Sequence, residues 1–378
     1  MRVLLIIFIY WLTAYSSYGQ RFNSKISLKV SNLPSITAKL DSFQSLGVKV
    51  DRSLALENTG EWLKNEISQL GLNPQFDSFI TTGGSNQRNV RIELPGNSRT
   101  EFIVVGAHYD TRAGVGANDN GSGVACLLTC LELLRNEKLK YPIQFIFFSG
   151  EEQGFFGSKF YVDSILSRER RTLKFMYNID QIGGTAGSNQ NDRIYCERDE
   201  SVVPNSNNSK SASITDTIAN MANLYTSIAP VISAAYSSDY IPFEAKGEVI
   251  TGLYQFADYP FTHSISDSIQ YMDTNYLKEG IRITLASLLH FSAAEGYVTA
   301  ETSDIPKVKV YPNPAVTSLT IESSQKYNSY SIINTLGENI VRGTMNSPTI
   351  DISALSKGVY FLKLSSEKYS SIHNFAKL

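Results

Sequence analysis

Three apolar runs, each leading to a residue able to hold a metal, constrain this chain more than any other feature. Phe102-Ile103-Val104-Val105 leads to His108 and Asp110, Ile143 to Phe148 leads to Glu151 and Glu152, and Phe175-Met176-Tyr177 leads to Asp180. Short runs rich in β-branched and aromatic residues are the pattern of strands buried on both faces. Between them lie helical patterns. Asn58 to Gly71 carries Trp62, Leu63, Ile67 and Leu70 as an apolar stripe, with Thr59 expected as N-cap and Gly71 as stop. Gly123 to Arg135 repeats the spacing with Val124, Leu127, Leu128 and Leu131. Alternation of this kind from residue 50 to residue 300 predicts an α/β fold with a mostly parallel central sheet flanked by helices. The C-terminal strand ends of such a sheet share one rim, where residues distant in sequence converge.

The polar residues at that rim share a chemistry. His108 and Asp110 project to one side of an extended segment, so the carboxylate is expected to hold one ring nitrogen while the other faces a metal. Asn118-Asp119-Asn120-Gly121-Ser122-Gly123 is a Gly-rich turn opening a helix, with Asp119 between two amides. Glu151 and Glu152 are adjacent carboxylates, which repel each other unless cations are near. Asp180 is expensive to desolvate without a partner, and His263, in Thr262-His263-Ser264-Ile265-Ser266-Asp267, supplies a second imidazole. Taken singly, each has an ordinary structural reading as a hydrogen-bonded pair, a helix cap, a solvated strand tip or a surface histidine. Together, two His and three carboxylates make the ligand set of a two-zinc hydrolytic site, with one carboxylate bridging the metals. The remaining Glu is then free to act as general base on a zinc-bound water.

In this order the constellation resembles the two-zinc aminopeptidases of the bacterial leucyl aminopeptidase type, over most of residues 30 to 297. The resemblance implies the zinc-exopeptidase, phosphorylase/hydrolase-like fold and removal of the N-terminal residue from peptides with a free N-terminus. Carried over by position, it makes Asp119 the bridge, His108 and Asp180 the ligands completing one Zn2+, Glu152 and His263 those completing the other, and Glu151 the catalytic base. Asp110 stands behind His108, and Asp267 matches the Asp of an HTxxDT pattern in which Ser264 and Ser268 replace Thr. Where the family often shows Ser-Asp-His, this chain has Ser238-Asp239-Tyr240, leaving open whether Tyr236 or Tyr240 donates to the oxyanion. Thr185 to Ser213 is a polar stretch that either shapes the pocket or is plain surface. Two alternatives compete: a glutaminyl cyclase of the same fold, which uses one zinc, and a non-catalytic cell-surface binding protein that has kept the scaffold. The intact NDNGSG run favours the peptidase, and none of the six positions is missing, as a binding protein would predict.

The ends of the chain read differently from its middle. Residues 1–19 open with Arg2, run through apolar Val3 to Leu12 and reach Ser17 and Gly19, the pattern of a cleaved secretory signal peptide. That run is too short to span a bilayer comfortably, so no transmembrane anchor is expected. Residues 20–300 are then the catalytic domain, 301–304 a linker and 305–378 a small all-β sandwich. In the last of these, SLTIES, YSIINTLGENIV, TIDIS and GVYFLKLSS read as strands, with Leu336-Gly337 and Lys357-Gly358 as turns. Tyr311-Pro312-Asn313-Pro314, the late Gly358-Val359-Tyr360 and the penultimate Lys377 resemble the C-terminal sorting domain of the type IX secretion system. That resemblance implies passage through the periplasm to the outer surface or the medium, with the secretion machinery as a partner. Lys and Arg number 34 against 36 Asp and Glu, a net charge of -2 that lacks the basic excess nucleic-acid binding requires. Three cysteines do not make a disulfide scaffold, and Cys126 and Cys130 read as small buried hydrophobes.

Overall fold

The computed structural model describes residues 23–295 and 308–378, apart from 203, 205, 324–325, 335–338 and 367–369. The expected signal peptide at 1–19, the linker at 301–304 and the Leu336-Gly337 turn lie outside the described residues.

Helices α1 (Ser24–Ser31), α2 (Thr37–Ser45) and α3 (Leu54–Gln69) precede the sheet. Its strands are β1 (Gln75–Ile80), β2 (Asn86–Leu94), β3 (Glu101–His108), β4 (Ile143–Phe148), β5 (Thr172–Ile179), β6 (Arg193–Arg198), β7 (Ala229–Ala234) and β8 (Ile250–Gln255). They lie in the order β1-β2-β4-β3-β5-β8-β6-β7. The central four, β4, β3, β5 and β8, run parallel; β2 and β6 join them antiparallel on the two sides, with β1 antiparallel to β2 and β7 parallel to β6 at the edges. Helices α4 (Gly121–Leu134), α5 (Phe156–Phe160), α6 (Asn208–Tyr225), α7 (Ile241–Glu244) and α8 (Thr274–Phe291) complete this part.

Strand alternation divides the apolar runs between two cores. Ile103 and Val105 of β3 join Leu127, Leu131, Leu285 and Leu289 from α4 and α8 on one face. Phe102 and Val104 join Ile146, Phe148, Tyr161 and Phe243 on the other. Both faces being covered explains why these strands read as continuous apolar segments rather than as alternating ones.

Two helix starts differ from the sequence expectation. α3 begins at Leu54, capped by Ser53, whose Oγ accepts from the Leu56 N–H at 3.1 Å. Thr59 is instead buried inside the helix, its hydroxyl donating to the Ala55 carbonyl at 2.7 Å. α4 begins at Gly121 rather than at Gly123, capped by Asn120, whose Oδ1 accepts from the Gly123 N–H at 2.9 Å, which leaves the Asp119 carboxylate free of the capping role.

The tail forms two antiparallel sheets, as expected of a sandwich. Strands β9 (Val308–Tyr311), β10 (Ser318–Ser323), β11 (Ser329–Asn334), β12 (Asn339–Thr344), β13 (Thr349–Asp351), β14 (Gly358–Ser365) and β15 (Ser370–Lys377) lie as β13-β10-β9 and β12-β11-β14-β15. Leu319, Ile332, Leu362, Leu364 and Phe375 form a core of their own. Cys126, Cys130 and Cys196 are buried free thiols. Among the described residues no helix is long and apolar enough to cross a membrane.

Candidate active site

The ends of β3, β4 and β5 open into a crevice of about 660 Å³. His108 is the last residue of β3, Glu151 and Glu152 follow β4 by a short turn, and Asp180 follows β5 directly. Asp119 stands just ahead of α4, and His263 arrives from the loop between β8 and α8. All six residues line the cavity, so the rim gathers every catalytic or metal position expected from sequence.

Five of the six form two triads that share Asp119. His108 Nε2 lies 3.3 Å from Asp119 Oδ1 and 3.4 Å from Asp180 Oδ1. His263 Nε2 lies 3.3 Å from Asp119 Oδ2 and 3.2 Å from Glu152 Oε2. Each Asp119 oxygen thus faces a different imidazole. A tetrahedral zinc with bonds of about 2.0–2.1 Å holds its ligand atoms about 3.3 Å apart, so the donor spacing fits such an ion in each triad. Asp119 Oδ2, Glu152 Oε1 and Asp180 Oδ1 are buried without a hydrogen-bond partner among the described residues, as oxygens intended for a cation would be.

The electrostatics point the same way. Burial pushes Glu151 up to about 10; His108 opposes the shift, while Asp239, Asp180 and Asp110 reinforce it. Glu152 rises to about 8 through burial and the repulsion of Asp119. Burial opposes charging of His108, yet Asp180 and Glu151 outweigh it and hold the imidazole well above its ordinary range. Asp180 is kept below the usual carboxylate range despite burial by His108 and by a 2.7 Å hydrogen bond from Ser238 Oγ. Protons thus neutralise an anionic cluster that a cation would otherwise satisfy, and metal binding here should release protons.

The supporting residues hold this geometry, one of them differently than expected. The Asp110 carboxylate does not hold the His108 ring, standing 3.7 Å from Nδ1. The nearer contact to Nδ1, at 3.1 Å, is the Asp110 main-chain carbonyl. The carboxylate is spent on the Glu151 and Glu152 N–H groups, each donating at 3.1 Å, because the turn after β4 leaves those donors without strand partners. Asp267 does the same for the Asn118 and Asp119 N–H groups, both at 2.9 Å, and also accepts from the Tyr259 hydroxyl. Replacing Asp267 with Asn puts an amide donor against one of those N–H groups. Metal affinity is expected to fall about 10- to 100-fold, checked by titrating metal into stripped protein.

Backbone strain concentrates at the crevice. Phe155, Gln181 and His263 line it and have φ of 61°, 48° and 55°, a region that residues other than glycine seldom adopt. The Thr262 hydroxyl donates to Gln181 Oε1 at 2.8 Å, tying two of these segments together.

The structure also separates the two tyrosines left open by the sequence. Tyr240 is buried, its hydroxyl donating to Glu197 and accepting from the Tyr236 N–H at 2.8 Å. Tyr236 is 85% exposed on the cavity wall. Two acidic residues escaped sequence reasoning. Asp239 is buried and is raised to about 7, first by burial, with His108 and a hydrogen bond from Ser158 opposing the shift. Glu197 of β6 faces the cavity from within the polar 185–213 stretch, part of which therefore does shape the pocket.

An α/β sheet whose parallel strands converge on paired His and carboxylate triads, with a further Glu beside them, defines the zinc exopeptidase class. Residues 89–288 match peptidase family M28, and the chain belongs to that family. Residues 309–377 match the secretion system C-terminal sorting domain. Among curated proteins, leucine aminopeptidase 2 of Trichophyton equinum is 41% identical over 103 residues, 27% of this chain and 21% of that protein. The match thus spans about a fifth of that relative's length. Solved structures that share the fold include the following two. LapB from Legionella pneumophila superposes with a TM-score of 0.62 at 20% identity, covering 71% of this chain and 75% of that one. Porphyromonas gingivalis glutaminyl cyclase does so at 0.56 and 18% identity, covering 71% and 98%.

Proposed function

We propose that the protein is an exported two-zinc aminopeptidase. The observation that carries this reading is the pair of triads joined through Asp119, with Glu151 on the crevice wall and outside both. His108, Asp180 and one Asp119 oxygen would hold one zinc, and His263, Glu152 and the other Asp119 oxygen the second. When bound, the ions supply Lewis acidity to the scissile carbonyl and lower the pKa of the attacking water.

The chain's own groups do the rest. Glu151, anchored through its N–H to Asp110, takes the proton of the attacking water and hands it to the leaving amine. The acidic crevice attracts the free α-amine of a substrate, and anchoring that amine at the strand tips limits cleavage to the first peptide bond. Tyr236, whose hydroxyl makes no hydrogen bond among the described residues, is free to donate to the oxyanion, whereas that of Tyr240 is committed. Tyr236→Phe is expected to lower kcat about 100-fold with little change in KM, read from steady-state kinetics. The sorting tail supports export by the type IX route to the cell surface or medium. Residues 1–19 as a removed signal and 20–300 as the catalytic unit belong to the same reading.

The glutaminyl cyclase alternative has a fold neighbour behind it but needs only one metal, which leaves the second triad without a purpose. A non-catalytic surface protein would need neither the second triad nor Glu151. Aminoacyl-anilides with free and acetylated amines, tested before and after chelation with zinc restored, decide among the three. Chelator-sensitive release from the free amines alone is the expected result. Cyclisation of Gln-terminated peptides without anilide hydrolysis would establish the cyclase, and silence in both assays the binding protein.

A further inference from the structure

The side wall of the crevice holds a carboxylate that the hydrolytic chemistry leaves unused. Along β6, Ile194 and Cys196 enter the core while Tyr195 and Glu197 alternate with them and line the cavity. Glu197 is only 7% exposed. Its Oε2 accepts from the Tyr240 hydroxyl at 3.1 Å, and no Lys or Arg pairs with it among the described residues. A carboxylate taken out of water without a cation beside it loses its hydration with nothing to offset the loss. Burial indeed pushes Glu197 up to about 8, the Tyr240 bond opposing and Asp180 adding to the shift.

The surrounding chain makes room for this group. Gly252 faces Glu197 across the β6/β8 ladder, and a Cβ at that position would lie 2.6 Å from Glu197 Oε2. Any side chain there would displace the carboxylate. β6 is separated from β5 by β8 alone, and the Glu197 carboxylate reaches back over Gly252 of β8, about one strand spacing, or 5 Å, to the side of the strand that ends at Asp180. A long side chain on a substrate whose α-amine is anchored among the strand-tip carboxylates spans that distance, and Tyr195 and Tyr254 of the cavity wall offer apolar surface to its methylene stem.

We propose that Glu197 is a specificity-determining residue that pairs with the side-chain cation of an N-terminal lysine or arginine. The proposal rests on the aminopeptidase reading and narrows its substrates to peptides with a basic first residue. The Tyr240 hydroxyl holds one carboxylate oxygen in place, leaving the other for the ammonium or guanidinium.

The test compares kcat/KM for lysyl- and norleucyl-anilides, which differ chiefly by the charge, in the zinc-loaded wild type and in Glu197→Gln. Calorimetry of free L-lysine and L-norleucine on the same two proteins runs in parallel. The wild type is expected to favour lysine at least about 10-fold, and Glu197→Gln to lower the lysine-to-norleucine ratio on the order of 100-fold, as truncating a buried charge pair does. A wild type that favours norleucine, or a ratio unmoved by the substitution, overturns the proposal. Should neither anilide be cleaved, the aminopeptidase reading fails and calorimetry decides Glu197 alone. Tighter lysine binding that disappears in Glu197→Gln then supports the pairing, and equal affinities refute it. If the variant does not fold, the wild-type preference decides: lysine favoured supports the pairing, and norleucine favoured overturns it.

Discussion

Glu151→Gln is expected to yield a folded, fully metallated protein whose kcat falls by about 10³. Glutamine keeps the volume of the side chain and leaves the main-chain N–H that Asp110 accepts, so the turn after β4 persists. Neither triad contains Glu151, so both donor sets survive. What disappears is the acidic group that follows β4 next to Glu152, able to shuttle a proton without surrendering a metal. Burial, with Asp239, Asp180 and Asp110 adding to it, raises Glu151 to about 10, so without metal the side chain is neutral and glutamine matches it in charge as well as volume. Stability of the metal-free protein should therefore hold. Steady-state kinetics with metal analysis on the same sample separates the effects: a fall of less than about 10-fold in a two-metal variant would move the base elsewhere.

Asp119→Ala should be more damaging still, with activity below about 10⁻⁴ of wild type and at most one metal per chain. Asp119 is the sole residue common to the two triads, and its two oxygens face His108 and His263 separately. Removing it deprives each ion of a ligand and removes the charge that keeps the two cations together. The fold is expected to survive, because Asn120 and not Asp119 caps α4 and because Asp267 accepts from main-chain donors that alanine also possesses. Circular dichroism and metal content measured on one preparation check both halves of the statement. An alanine variant that holds two ions would show that Asp119 is not a bridge.

The central sheet and the crevice were legible because each strand is apolar on both faces and breaks abruptly at its ligand. His108, Glu151, Glu152 and Asp180 announce themselves by interrupting or ending such runs. Asp119 and His263 were found through chemical type and order, since nothing in their local periodicity marks them. Helix starts were harder. The first turn of α3 is apolar throughout, Leu54-Ala55-Leu56, with Leu54 69% exposed and Leu56 buried, so it shows no one-sided stripe and the amphipathic pattern becomes plain only further along the helix. Asp110 misled because HxD spacing predicts a side-chain contact, whereas the Glu151 and Glu152 donors that compete for the carboxylate come from forty residues away. Glu197 is hidden for a related reason: it falls in the polar Thr185 to Ser213 stretch, where nothing local separates it from surface until the Gly252 cleft and the Tyr240 hydroxyl are seen around it.

The two proposed metal positions also differ in access. The His108 side chain is 2% exposed and that of His263 is 42% exposed, so the ion on the His263 side should exchange first. Zinc titration into stripped protein, with bound metal and aminopeptidase activity read at every point, tests the account most directly. It predicts saturation at two ions per chain, in two separable steps, with full activity at the second. Saturation at one ion, or full hydrolytic activity in protein holding none, would contradict it.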